Sequence, residues 1–153
     1  MRAYTQDFTG FRELQNHFKN YSNLYTKVGV LSDETYEGEN ITIAGVAAVN
    51  EFGTKDGHIP PRPFMANALK ENKEEIKKMT LALFKRSTMG KLKLTQAISL
   101  LGEFFTNKVQ ETIRKFDSPP NAPATIKAKK GQDNPLIDQG RLIQSITHKE
   151  VII

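Results

Sequence analysis

Three histidines, His17, His58 and His148, are the first places to look for chemistry in this chain. His17 has no second ligating side chain four residues on, so it does not form a two-ligand helical zinc pair. Glu51, Asp56 and His58 gather two carboxylates and an imidazole, but their spacing fits no metal-ligand pattern and reads as a polar turn. The chain has no glycine-rich phosphate loop, nucleophile elbow or HExxH pair. It has no cysteine, which excludes disulfides, cysteine zinc sites and thiol catalysis. These residues assign no catalytic, metal-binding or cofactor-binding site. One piece, "TIKAKKG", resembles a phosphate-backbone contact and offers Lys127, Lys129 and Lys130 as candidate nucleic-acid contacts. It lacks interleaved aromatics, and tryptophan is absent, so stacking on bases is not indicated. A basic nucleic-acid-binding module is therefore the alternative reading, resting on that run alone.

The chain has 153 residues, 38% hydrophobic and 25% charged, with a net charge of +5. This fits one globular domain, 1–153. No apolar stretch approaches the length of a membrane span, and the first residues do not form an apolar leader. The expectation is a protein kept in a cytosol, or in an assembly built there, with no membrane partner.

Periodicity supplies the elements that would position any site. Phe8, Phe11, Leu14, Phe18 and Tyr21 make one helical stripe. "LYTKVGVL", 24–31, alternates as a strand. The polar stretch 32–40 reads as a surface loop. Thr42 fits the N-cap of a short helix that ends near Phe52, with Gly53 as its left-handed terminator. A long helix is predicted from about Phe64 to Arg86, with Met65, Leu69, Ile76, Met79 and Leu83 inward and a Glu74–Lys78 ion pair on its wet side. A second follows at about 95–116, with Ile98, Leu101, Phe105, Val109, Thr112, Ile113 and Phe116 inward, making a helical hairpin. Residues 146–152 are expected to close the domain as a second strand. The fold class is thus α+β: a small sheet packed against two long amphipathic helices.

Two segments are left over. In "EFGTKDGHIPPRPFM" the prolines favour a stiff extended arm over 54–63, with Pro63 in the first turn of the next helix. Such an arm either docks on a neighbour, losing little entropy, or folds back on its own subunit's core. Phe52, Ile59, Pro60, Pro61, Pro63 and Phe64 would be its apolar contacts to a neighbour and Arg62 the directional polar one, because aromatics and arginine are enriched at interface hot spots. From 117 to 135 the chain is proline-rich and polar, and reads as a long loop ordered by a partner. In "PLIDQGRLIQSI" Asp138 would cap a short helix carrying Leu142 and Ile143. Leu136 and Leu142 would tie the segment to the core, Gly140 would mark a turn or close backbone approach, and Arg141 would project toward a neighbour.

"NEFGTKDGHIPPRPFM" before a long helix, and "PPNAPATIKAKKGQDNPLIDQGRLIQSI" near the end, resemble the tail-completion and neck proteins of tailed bacteriophages, including the Mu-like virion morphogenesis group. The resemblance covers roughly 47–69 and 117–147. It departs at Gln139, where the family commonly has threonine. It implies a non-enzymatic virion subunit that assembles as a homo-oligomeric ring at the head–tail junction, after assembly in the host cytoplasm. Its implied partners are the connector or head-closure proteins and the tail-tube or tail-terminator proteins, with a passage for DNA.

Overall fold

The computed structural model describes residues 23–35 and 40–152, together with Gly10, Arg12, Gln15, Asn16 and Lys19. The aromatic stripe expected at 8–21 lies outside the described residues. The rest is an α+β fold. Strand β1, Leu24–Val30, is followed by α1, Ile43–Phe52, then α2, Phe64–Glu71, and α3, Lys73–Thr88. Helix α4 spans Leu94–Lys115, the short α5 Pro123–Ala128 and α6 Arg141–Ser145, and β2, Ile146–Ile152, ends the order.

The two strands pair antiparallel, Leu24 with Ile152 through Val30 with Ile146. Helix α4 lies across one face of this sheet, and α2 and α3 pack on α4. The approach is close at Gly102. A Cβ there would stand 2.5 Å from the Thr26 hydroxyl and 2.7 Å from the His148 ring, so only glycine lets the helix settle at this depth. The core gathers Phe64, Ala68, Val109, Ile113, Phe116, Leu136, Leu142 and Ile146. Helix α1 begins as expected: the Thr42 hydroxyl accepts from the Gly45 N–H at 3.0 Å, and Gly53 ends it at φ +73°.

The predicted 64–86 helix is two helices. The Asn72 side-chain amide and its own N–H both donate to the Ala68 carbonyl, and its backbone leaves helical geometry at φ −103°, ψ 13°. The inward stripe continues across the break, with Met65, Ile76 and Met79 half-buried and Leu83 buried as expected, but Leu69, expected inside, is 54% exposed. The shortest ion pair among the described residues runs between helices: Lys108 of α4 meets Glu75 of α3 at 2.8 Å, and lies 3.7 Å from Glu111 on its own helix.

Candidate functional site

The two leftover segments meet. The arm does not project; it turns back over α1. Gly53 makes the turn, and a Cβ on it would stand 2.8 Å from the Ile59 carbonyl and 2.9 Å from the Pro61 nitrogen. Thr54 closes the small loop, its N–H donating to Ile59 O and its hydroxyl accepting from the Ile59 N–H, both at 3.0 Å. The Arg62 N–H then donates to Asn50 O at 2.6 Å. Pro63 sits just before α2 at φ −76°, ψ 68°, with the Phe64 N–H donating to Arg62 O, an inverse γ-turn that aims the chain into the helix. Glu51 completes the join. Its carboxylate accepts from the Met65 and Ala66 N–H groups at 2.9 and 3.0 Å, so a side chain of α1 caps α2 and meets the positive end of that helix.

Arg62 is the centre of this construction and is only 7% exposed. Its Nε donates to Pro119 O at 3.1 Å, and its Nη2 to Pro120 O and Asn121 Oδ1 at 3.3 and 3.4 Å. Its Nη1 reaches Asn50 Oδ1 at 3.5 Å, at the long end of a hydrogen bond. Burial draws the guanidinium below its ordinary pKa. Phe64 beside it is 1% exposed. Arg62 and Phe64, expected at a subunit interface, are therefore structural residues of their own subunit. The physical reason lies in the partner loop. Proline carries no N–H, so "SPPNAP" presents carbonyls without a matching set of donors. Arginine supplies five donors in a fixed fork and meets the excess.

The 117–135 segment is accordingly not a free loop. Asn121, buried, donates to Asp133 O and Asn134 O at 3.2 and 3.3 Å. Asn134 binds both ways. Its amide donates to Ile113 O and Arg114 O at the C-terminal end of α4, and its carbonyl oxygen accepts from the Leu136 and Ile137 N–H groups. It closes an Asx turn and satisfies helix-terminal carbonyls at once. Lys129, a candidate nucleic-acid contact, points Nζ at Asn134 O and Ile137 O, at 3.1 and 2.7 Å. Burial lowers its pKa, and the charge of Asp138 opposes that. Lys127 and Lys130 are exposed.

Asp138 does not cap a helix. The residue before α6 is Gly140, in left-handed geometry at φ +76°, and no side chain caps that end. The nearest heavy atom to a Cβ at Gly140 would be Gln144 Nε2 at 3.5 Å, an ordinary contact, so the turn and not a close approach selects glycine. Leu136 and Leu142 are buried as expected. Arg141 is half-buried and lines a polar cavity of about 420 Å³ with Asn50, Lys129 and Asp138.

Of the expected interface residues, Phe52 stands out, 79% exposed at the end of α1. Pro61 is exposed, and Ile59, Pro60 and Pro63 are half-buried. Phe52 borders an apolar cavity of about 220 Å³ shared with Val30, Ala47, Ala48, Met65 and Ile146. The sequence reading missed Glu51, Asn121 and Asn134. The available signal was the run of prolines, which removes backbone donors and calls for amides and cations nearby. No helix among the described residues is long and apolar enough to cross a membrane. No protein family, curated protein or solved structure matches this chain.

Proposed function

We propose that this chain is a structural subunit of a tailed-phage virion, assembling as a ring at the head–tail junction or the head-proximal end of the tail. In that role it completes the tail, joins it to the filled head and leaves a passage for DNA. It works by shape and contact rather than by catalysis. One observation carries the reading. The two segments that bear the resemblance, far apart in sequence, close on each other around Arg62, through Pro119, Pro120 and Asn121. Shared motifs that form one physical unit are more than a chance pair of similar strings. The clasp holds α1 and α2 rigid behind the exposed Phe52 and its apolar cavity, and a preorganised apolar patch of that kind suits subunit contacts. Rings need contacts that join two different patches and close by rotation.

Electron microscopy of the purified chain tests the proposal. Closed annuli with a central passage are the expected result. A chain that stays monomeric at every concentration, or that binds duplex DNA as a monomer with affinity falling steeply in salt, sets it aside in favour of the basic-module alternative.

A further inference from the structure

The long axis of the molecule has two unlike ends. Helix α4 has 22 residues, a span of about 33 Å. At its C-terminal end lie the clasp, Phe52 and the 220 Å³ apolar cavity. At its N-terminal end the turn between α3 and α4 forms the hairpin tip. There Met89 is 57% exposed, a large apolar side chain in the turn itself. The charges differ as well. From Ile76 to Gly102 the chain has no acidic residue, and Lys85, Arg86, Lys91 and Lys93 are exposed around the tip. At the cavity, Glu51 is part of the wall, and β1 leads from Val30 of that wall toward the exposed Asp33, while Glu34 lines a separate cavity with Arg141.

We infer that the hairpin tip of one copy, led by Met89, seats in the apolar cavity beside Phe52 of the next copy. This rests on the ring proposed above and deepens it by naming the contact. The fit is chemical on two counts. A flexible thioether side chain fills an irregular apolar cavity of this size. The basic rim of the tip is opposite in charge to Glu51 in the socket wall and to Asp33 beyond Val30, which sets the direction of docking. Because knob and socket stand at opposite ends of one subunit, each copy binds two neighbours with different surfaces, the arrangement that produces rings.

The cysteine-free chain makes the test direct. Met89→Glu leaves the socket and spoils the knob. Ala48→Trp, at an exposed position of α1, leaves the knob and fills the socket. Each variant alone should stay monomeric in sedimentation, its affinity for itself down about thirtyfold or more, with the melting temperature of the fold kept. Mixed one to one, they should form a species of two chains and stop there, since only one intact knob meets one intact socket. Met89→Cys mixed with Ala48→Cys should form a disulfide between copies under mild oxidation. If wild type forms annuli while both blocked variants still assemble and no cross-link appears, this contact is wrong and the ring stands. If wild type does not associate at all, the ring falls and this contact with it.

Discussion

The two ends of α4 are held in opposite ways. The clasp end is ordered by polar bonds between distant segments: Arg62 to the 119–121 carbonyls, Asn134 to the end of α4, and Glu51 to the start of α2. At the hairpin tip two of the described helices meet, and the turn between them carries an exposed methionine and like charges. The difference teaches that residue type does not settle destination. Phe64 and Arg62 have the character of hot-spot residues and are spent inside the subunit. Met89 and Leu81 have the character of core residues and stand in solvent. What decides is supply and demand nearby: unmatched carbonyls draw the arginine inward, and among the described residues Met89 is left exposed at the tip.

The sharpest way to break this contrast is Phe64→Ala. At 1% exposure, within the core cluster, the truncation should cost about 4 kcal/mol in a denaturant titration, far beyond an interface effect. Gly53→Ala should come next, at about 2 kcal/mol, because the residue sits at φ +73° and a Cβ would press on backbone atoms of the returning arm. A loss below about 0.5 kcal/mol would mean that the arm swings free of α1.

These positions also mark what was legible in the sequence. Thr42, Gly53, the strand alternation of 24–30, the hairpin and the final strand could be read because each is a local pattern with one cause. The choice between docking on a neighbour and turning inward could not be made for Arg62, since it depends on carbonyls nearly sixty residues away. The break at Asn72 hid inside an otherwise sound helical pattern. The role assigned to Asp138 went to no residue, because Gly140 in left-handed geometry starts α6 without a side-chain cap.

Asp138 accordingly sharpens the comparison at small amplitude. Asp138→Ala should change stability by no more than about 0.5 kcal/mol, the range of an exposed side chain with no cap to lose. A larger loss would restore a capping role. The smallest effect belongs to Glu75. The Lys108 hydrogen bond, and then its charge, hold that carboxyl below its ordinary value. A folded pKa below the unfolded one gives stability that is present above the unfolded value and lost as pH falls through the folded one. Glu75→Gln should therefore flatten the acid limb of a stability–pH profile slightly, and the difference from wild type should shrink in high salt. An unchanged limb at low salt would mean that the pair does not form in solution.

The central claim is that the Arg62 arm belongs to the fold of its own subunit. Its most direct test is the denaturant stability of Arg62→Met at concentrations low enough for the chain to be monomeric, with the methionine keeping most of the bulk. The account predicts a loss of about 3 kcal/mol that does not vary with protein concentration, since several buried carbonyls and amides lose a charged donor. A monomer of unchanged stability whose assembly alone is lost would contradict it and return Arg62 to the interface.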